Sequence, residues 1–354
     1  VVEGVMGLFD GAVRSEGSSA EIARILGLPV IMVLDASSMA YSAAPLLHGF
    51  STFDPSVRVA GAIFNRVGSA AHYRYLEEAA RDVGIEPLGY LPSNGKIAIN
   101  ERYLGLNTSA SYDRDAIIDA MAEHVAKTVD LDRLLELSAI DIEHGTPTLA
   151  LATGGTKVIA VARDEAFSFI YHENLDVLAR YGKIEFFSPL RDARIPEADL
   201  LYLAGGYPEL YAGILAENGE MKGRISGYCR RGGAAYAECG GLLYLGRRLF
   251  TADGAAHDMC GLLDLDTTML EPRLTLGYRK IAMAGHGPQE LRGHEFHYSS
   301  ICRDGEGESI AKVRDARNEI INTKVYRKGN TIASYIHLYW GEQGDLHDWL
   351  DGLA

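Results

Sequence analysis

The sequence predicts an α/β protein with two domains. Its 354 residues exceed what one hydrophobic core usually organises, so length alone favours two. Short continuous apolar runs alternate with segments of helical spacing, which is typical of parallel sheets covered by helices on both faces. This periodicity breaks over residues 139–156, where a proline and a glycine pair occur. The break predicts a linker between domains at residues 1–138 and 157–354.

In the first domain, three apolar runs predict parallel strands at residues 30–34, 57–64 and 85–91. Helical spacing with charges on one face predicts a helix over residues 71–83. Residues 115–137 predict one long amphipathic helix that closes the domain. The chain opens with two valines and a glutamate, which we interpret as the end of a buried strand.

The second domain begins a new α/β series. Apolar runs predict strands at residues 157–162, 184–187, 199–203 and 234–237, with a helix near residues 173–181. From about Cys260 onward the runs become shorter and carry more charges and turn residues. This change predicts antiparallel strands added around the parallel core.

Composition and charge narrow the class of function. A formal net charge of −14 disfavours nonspecific binding of a phosphate backbone, so no nucleic-acid partner is expected. No run of eighteen apolar residues and no signal peptide occur, so no membrane partner is expected. The four cysteines show no CxxC spacing, which favours reduced thiols in a cytoplasmic protein. Small molecules are the expected partners, and a homodimer stays open.

Two strand ends carry the chemically informative residues. Residues 199–203 lead into Gly205 and Gly206, and tight glycine turns let backbone N–H groups approach a ligand. Residues 234–237 lead to Cys239, which is followed by a second glycine pair and an apolar helix. A thiol on such a turn is accessible and lies near a helix N-terminus, which favours the thiolate.

His337 follows an apolar run at residues 331–336, which places it at the carboxyl end of a predicted strand. From there an imidazole can take the proton of Cys239, while the amides of Gly206 and Gly240 receive an oxyanion. A cysteine at a strand end is more commonly a small buried hydrophobe. The sequence AECGG around Cys239 favours the nucleophile, whereas no such turn surrounds the remaining cysteines, Cys229, Cys260 and Cys302.

These segments resemble the class I glutamine amidotransferases, in the branch found in cobyrinate and cobyrate synthases. The motifs LAGGYPEL at 203–210, LTLGYR at 274–279 and GHEFHYS at 293–299 are similar to signatures of this branch. In the first domain, VEGVMGLFDG at 2–11, FNRV at 64–67 and ERYLGL at 101–106 resemble the synthetase domain of the cobyrinate a,c-diamide synthase family. The resemblance covers nearly the whole chain.

The resemblance implies a fold for each domain: a P-loop-NTPase-like (dethiobiotin synthetase-like) parallel sheet, then a class I glutamine amidotransferase-like domain. It implies that Cys239 and His337 hydrolyse glutamine, with Tyr207 beside Gly206 and Gly240 in the glutamine site. Many relatives place a glutamate two residues after the histidine, where this chain has Tyr339, so a Cys–His dyad is expected. His294 and His297 are expected in the core or the glutamine pocket rather than as the base.

In the synthetase domain, the resemblance implies that Glu3 binds magnesium and that Asp10 serves the metal or the acceptor carboxylate. Asp35 is a further active-site acid, Asn65 reads the adenine ring, and Arg102 contacts the acidic tetrapyrrole. Asp10 as a turn aspartate and Asn65 as a turn former stay open as alternatives. Hard oxygen ligands suit magnesium, which ATP chemistry on a carboxylate requires.

Family members have a strand and a phosphate-binding loop with lysine ahead of the segment that opens this chain. TGGTK at 153–157 has glycines and a lysine without the P-loop spacing. We expect an N-terminal segment to be missing here, in preference to a relative that has lost nucleotide binding. On that expectation the 354 residues by themselves bind Mg-ATP poorly and perform no amidation. The second domain should still hydrolyse glutamine slowly and react with a glutamine-analogue electrophile at Cys239.

The expected function is ATP- and glutamine-dependent amidation of the a and c carboxylates of cobyrinate. Amidation of nickel-sirohydrochlorin uses the same chemistry on another macrocycle and stays open as an alternative. Cobyrate synthase is disfavoured by the motifs at residues 3–10 and 274–279. A non-catalytic scaffold or sensor with an amidotransferase-like pocket is the alternative from another functional class, against which the Cys239 and His337 pair argues.

Overall fold

A computed structural model describes residues 1–4, 6–95, 97, 114–141, 155–283 and 290–341. The chain divides into two compact units, Val1–Thr146 and Pro147–Ala354. Each unit has its own hydrophobic core. None of the helices in the described ranges combines the length and apolarity needed to cross a bilayer.

The described helices are α1 Ser19–Leu26, α2 Ala43–Phe53, α3 Ala70–Asp82, α4 Arg114–Ala126, α5 Leu131–Ser138, α6 His172–Tyr181, α7 Ala212–Glu217, α8 Gly219–Arg230 and α9 Gly240–Leu245. A 3-10 helix spans Pro208–Tyr211. The described strands of the parallel sheets are β1 Val30–Asp35, β2 Val59–Val67, β3 Glu86–Pro92, β4 Lys157–Ala162, β5 Gly182–Phe187, β6 Leu200–Leu203 and β7 Ala234–Glu238. The later strands are β8 Arg248–Phe250, β9 Ala256–Asp258, β10 Leu265–Thr268, β11 Thr275–Met283, β12 Glu290–His297, β13 Ser300–Asp304, β14 Ala311–Asp315, β15 Val325–Lys328, β16 Thr331–Ser334 and β17 His337–Leu338.

The first unit is built on a parallel sheet with the order β1-β2-β3. The three predicted strands and the predicted helix α3 are confirmed within a few residues. Helix α3 begins where Ser69 accepts a hydrogen bond from the His72 amide at 3.1 Å. Its apolar stripe, Leu76, Ala79 and Ala80, is buried in the core beside the sheet, as amphipathic spacing requires.

The prediction of one helix over residues 115–137 is wrong. Helix α4 ends at Ala126 and α5 begins at Leu131, because the intervening segment pairs with β3 instead. The Asp130 amide donates to Leu88 O at 2.8 Å, and the Asp130 side chain caps α5 through the Arg133 amide at 2.9 Å. β-branched residues and a capping aspartate in this segment favour a break over a continued helix.

The prediction that the chain opens in a buried strand is also wrong. Residues 1–4 have no regular secondary structure, and Val2 is 66% exposed. Two apolar residues offer too few ladder hydrogen bonds to offset the entropy lost on ordering them. The following turn is instead anchored by Phe9, whose ring lies 4.8 Å from that of Phe53 in α2.

The second unit is built on a six-stranded sheet with the order β5-β4-β6-β7-β16-β15. All its pairs are parallel except β15 with β16. One core lies against α8 and α9, and another on the opposite face includes Trp340. The carboxyl ends of the central strands β6 and β7 therefore lie side by side, which brings the two glycine turns to one edge.

Two further sheets follow, with the orders β14-β11-β12-β17 and β13-β10-β8-β9. Most of their pairs are antiparallel, which confirms the change expected near Cys260. The predicted strand at residues 331–336 ends earlier, at Ser334, whose hydroxyl accepts from the Ile336 amide at 3.1 Å. This turn moves His337 into β17, where it pairs with His294 of β12.

Candidate functional site

Cys239 occupies the sharp turn between β7 and α9. Its backbone has φ 44° and ψ −98°, a conformation that non-glycine residues rarely adopt. The Cys239 amide donates to Ser334 O at 2.8 Å, which ties the turn to β16. Strain of this kind persists only where the surroundings enforce it, and it clusters at functional turns.

Two glycine turns, at Gly205–Gly206 and Gly240–Gly241, pack closely against each other beside Cys239. A Cβ on Gly240 would lie 3.1 Å from Gly206 N, and a Cβ on Gly241 would lie 2.8 Å from Leu203 Cβ. Gly206 has φ 150°, and a side chain there would collide with Ala166 O. The amides predicted to receive an oxyanion, Gly206 and Gly240, are thus adjacent.

His337 is buried, at 3% exposure, and packed on several sides. Its ring stacks on His294 with centroids 4.8 Å apart, meets Phe169 edge-on at 4.6 Å and lies directly against Gly205. Burial, followed by His294 and His297, holds the pKa of His337 well below its usual value. The imidazole is therefore neutral in the resting site, as a proton acceptor must be.

The expectation that the helix N-terminus favours the Cys239 thiolate is wrong for the resting site. Burial raises the pKa of Cys239, and the carboxylates of Glu209 and Glu238 add to that rise. The Gly240 amide acts in the opposite direction and is outweighed. Cys239 is thus a neutral thiol at rest, so its proton must leave during the reaction.

Tyr207 lies close enough to Cys239 for its pKa to be raised by that thiol, after burial and Glu209. The other two predicted histidines lie on β12. His294 shares a hydrogen bond of 2.8 Å with Tyr171, and burial with Arg279 lowers its pKa to about 4. His297 stacks on Tyr335 at 3.8 Å and donates from Nδ1 to Ser299 O at 2.9 Å.

Glu238 lies beside His337 and was not among the residues predicted from the sequence. Its carboxylate is 1% exposed and lies 3.8 Å from His337 Nδ1. Burial raises its pKa to about 7, although hydrogen bonds to the carboxylate act against that rise. The signal that could have revealed it was a charged residue at the end of an otherwise apolar strand, since glutamate is almost never fully buried without a partner.

In the first unit, Asp35 and Asn65 are brought together at the carboxyl edge of the sheet. They are register partners on β1 and β2, and the Ala36 amide donates to Asn65 O at 2.8 Å. Arg66, with φ 60°, forms an ion pair with Asp35, and its amide donates to Asn65 Oδ1 at 2.9 Å. The Ser37 amide is the largest cause that lowers the pKa of Asp35.

Of the other residues predicted for the synthetase site, Glu3 and Asp10 form no hydrogen bond or ion pair with Asp35 or Asn65 among the described residues. Glu3 is exposed, and Asp10 closes a turn in which its amide donates to Gly7 O at 2.9 Å. The Asp10 carboxylate folds over Gly7. Arg102 lies outside the described residues. Within the described ranges, no group of three or more His, Cys, Asp or Glu side chains is arranged to hold a metal ion.

Comparison with known proteins agrees with these motifs. Residues 158–344 match the model of the CobB/CobQ-like glutamine amidotransferase domain. The chain is 40% identical to hydrogenobyrinate a,c-diamide synthase of Brucella anthropi, over 96% of this chain and 79% of that protein. It is 37% and 38% identical to the cobyrinate a,c-diamide synthases of Streptococcus sanguinis and Salmonella typhimurium, over 99% of this chain and 80% of each relative. The chain belongs to the cobyrinate a,c-diamide synthase family.

Proposed function

We propose that this protein amidates the a and c carboxylates of a corrinoid acid, cobyrinate or its metal-free form hydrogenobyrinate, with glutamine as nitrogen donor and ATP as co-substrate. The observation that carries the proposal is the strained Cys239 turn packed against the Gly206 turn. The a,c-diamide synthases to which the chain is similar support this choice of acceptor.

The glutaminase half begins when glutamine binds beside Tyr207. Cys239 Sγ attacks the carboxamide carbon while His337 takes the thiol proton. The oxyanion is held by the amides of Gly206 and Gly240, where loss of one donor costs roughly 10²–10³ in rate. The protonated His337 then gives its proton to the departing nitrogen, which leaves as ammonia, and water hydrolyses the thioester to glutamate.

The amidoligase half uses ammonia at an activated carboxylate. The acceptor carboxylate takes the terminal phosphoryl group of ATP, and ammonia displaces phosphate from the acyl phosphate. Asp35 and Asn65 bind nucleotide or acceptor at the sheet edge, with Asp10 and Arg102 as further contacts. The exposed Glu3 is the proposed magnesium ligand, which fits an ion held by one or two carboxylates and the phosphates of its substrate. When bound there, magnesium would supply positive charge that offsets the phosphate oxygens.

An acceptor panel tests the proposal. The protein, extended at its N-terminus by the strand and phosphate-binding loop that its family members have, is incubated with glutamine, Mg-ATP and cobyrinate, hydrogenobyrinate or nickel-sirohydrochlorin, and the products are resolved by mass spectrometry. We expect two successive amidations of a corrinoid acid and ammonia release from glutamine. Amidation of nickel-sirohydrochlorin alone would overturn the acceptor assignment. Absence of glutaminase activity and of all amidation would favour the scaffold.

A further inference from the structure

The hydrogen bonds around Glu238 leave one of its acceptor positions open. Oε1 accepts from the Tyr236 hydroxyl at 2.8 Å and from the Leu338 amide at 2.9 Å. Oε2 accepts from the Tyr202 hydroxyl at 2.9 Å. Because each carboxylate oxygen has two lone pairs, Oε1 is fully used and Oε2 keeps one. Oε2 is also the oxygen that lies 3.8 Å from His337 Nδ1.

His337 has a polar atom that could donate to the open acceptor position of Glu238. Its Nδ1 is buried and has no hydrogen-bond partner within the described part of the chain. A buried polar atom left unpaired is costly, and such atoms often mark a site that completes its hydrogen bonds during function. Packing of the ring against Gly205, Phe169 and His294 limits its movement. The separation of 3.8 Å is longer than a hydrogen bond, and catalytic hydrogen bonds commonly tighten when substrate binds.

We propose that Glu238 is the positioning residue of this glutaminase: its Oε2 accepts a hydrogen bond from His337 Nδ1–H during the reaction. That bond keeps Nε2 available for the thiol of Cys239 and stabilises the imidazolium that forms when the thiol proton is taken. The carboxylate thus comes from the residue before the nucleophile, not from the position two residues after the histidine. This inference rests on the proposed glutaminase function.

Tyr339, two residues after His337, makes other contacts. The Tyr339 amide donates to Arg292 O at 2.9 Å, and its ring contacts Tyr171 with centroids 5.2 Å apart. Neither contact supplies an acceptor to His337. Glu238 supplies one from β7, while the Leu338 amide that it binds fixes the residue next to the histidine. One side chain can therefore hold both the backbone and the ring of this segment.

A plain structural role is the competing explanation, because Glu238 links β6, β7 and β17 through its hydrogen bonds. The two roles differ in their dependence on pH. Burial raises the pKa of Glu238 to about 7. The titratable groups facing this pair are Tyr202, Tyr236, Tyr171 and Cys239 near Glu238, and His294 and His297 near His337. None of the tyrosines ionises near neutrality, since burial raises the pKa of each.

The direction of the pH dependence of glutaminase activity follows from the requirement that Glu238 be ionised. Below about pH 7 the carboxyl is protonated and cannot stabilise an imidazolium, so glutaminase activity falls on the acid side. Above that pH the carboxylate is ionised and activity reaches its plateau. The inflection is a property of the coupled Glu238 and His337 pair. A structural tie would lower or preserve the rate equally across this range.

The test compares wild type, Glu238→Gln and Tyr236→Phe. For each, kcat and KM for glutamine and the rate of Cys239 labelling by azaserine are measured from pH 5.5 to 9. The Glu238→Gln substitution keeps the size of the side chain but removes its charge. We therefore expect roughly a 10²-fold or greater loss of kcat with KM little changed. The acid-side inflection should disappear.

Tyr236→Phe keeps the Glu238 carboxylate and removes a hydrogen bond that favours its ionised form. We expect its inflection to move to higher pH while the plateau rate stays within about threefold of wild type. This variant keeps the inference testable if Glu238→Gln fails to fold, as judged by circular dichroism.

The outcomes separate this inference from the function on which it rests. If wild type shows no hydrolysis or azaserine labelling that depends on Cys239, the proposed function fails and the inference fails with it. If wild type is active, an unchanged inflection in Tyr236→Phe overturns the inference alone. A folded Glu238→Gln that keeps the inflection, or more than about a third of the wild-type kcat, overturns it as well.

Discussion

The turn at Cys239 and the sheet edge at Asp35 both follow parallel strands, yet one is buried and the other is open to solvent. Cys239 and His337 are 6% and 3% exposed, whereas the Asp35 and Arg66 side chains are 46% and 58% exposed. Around Cys239 the chain supplies almost every contact. Around Asp35 it supplies an ion pair and a few backbone hydrogen bonds. Side chains in the first region are positioned by packing, while those in the second are left available to a ligand.

This difference predicts where substitutions act. In the buried region, removal of a side chain should abolish chemistry, and added atoms should cost stability because close-packed surroundings cannot absorb them. At the exposed edge, removal of a charge should change ligand handling and leave folding nearly unchanged.

The largest effect is expected at the nucleophile. Cys239→Ala should lower glutamine-dependent amidation by about 10⁴-fold or more, since no other group can form the thioester. In a protein that also carries the N-terminal phosphate-binding loop of its family members, ammonia added in place of glutamine should still support amidation, because carboxylate activation is a separate step. Product formation with each nitrogen source is the measurement, and Cys302→Ala, which alters an exposed thiol, is the matched control. Full glutamine-dependent activity in Cys239→Ala would refute the nucleophile assignment.

The next largest effect is expected at the base. His337→Ala should slow glutamine hydrolysis roughly 10²-fold or more, because it removes both the proton acceptor and the later donor. His297→Ala is the control on β12 and should reduce turnover much less, although it loses the stacking on Tyr335. Ammonia release from folded samples is the measurement. A larger loss at His297 would reverse the assignment.

A smaller effect, on stability, probes the packing of the two glycine turns. In Gly241→Ala the new methyl group collides with Leu203 O, so we expect the free energy of unfolding to fall by about 1–3 kcal/mol. The control is Gly223→Ala in α8, where a Cβ meets nothing within 4 Å. That change should stabilise by about 0.5–1 kcal/mol, because alanine loses less backbone freedom in a helix. Urea unfolding of both variants would show opposite shifts, and equal shifts would contradict the packing argument.

Several features were accessible from the sequence because they depend on local pattern. The apolar runs specified β1, β2, β3 and the central strands of the second unit, and the AECGG context specified the Cys239 turn. The break between α4 and α5 depends on pairing with β3, which no local period reveals. The raised pKa of Cys239 was missed for a similar reason. The pattern indicated a helix N-terminus, while burial and carboxylates brought from other segments decide the shift.

Two contacts that the sequence did not predict, Glu238 with His337 and Arg66 with Asp35, both arise from tertiary strand pairing. Glu238 meets His337 only because β7 and β17 converge from distant parts of the chain, 99 residues apart by their numbers. Arg66 meets Asp35 because β1 and β2 are register partners and because Arg66 takes a left-handed conformation. Sequence spacing identifies residues that sit at strand ends, but tertiary pairing decides which of them touch.

The smallest effect on stability, with a clear effect on function, is expected at the exposed edge. In Asp35→Asn the amide oxygen can still accept from the Ser37 amide, as Oδ1 does at 3.0 Å, while the charge that faces Arg66 is lost. Because the pKa of Asp35 is lowered on folding, its contribution to stability is present at neutral pH and is lost only as pH falls through the folded pKa. Solvent screening keeps that contribution small, so thermal unfolding at neutral pH should be nearly unchanged.

In the same loop-bearing protein, ammonia-supported amidation by Asp35→Asn should nevertheless fall roughly tenfold or more, since a positioned carboxylate at a nucleotide or acceptor site acts where charge develops. Asp54→Asn is the matched control: Asp54 is partly exposed and accepts from the Ser56 amide at 2.9 Å, but it follows α2 and precedes the amino end of β2. Equal activity losses in the two variants would indicate a general charge effect. An unchanged rate in Asp35→Asn would show that this edge of the sheet takes no part in amidation. A loss confined to Asp35→Asn would show that an exposed strand end carries function while contributing little to the stability of the fold.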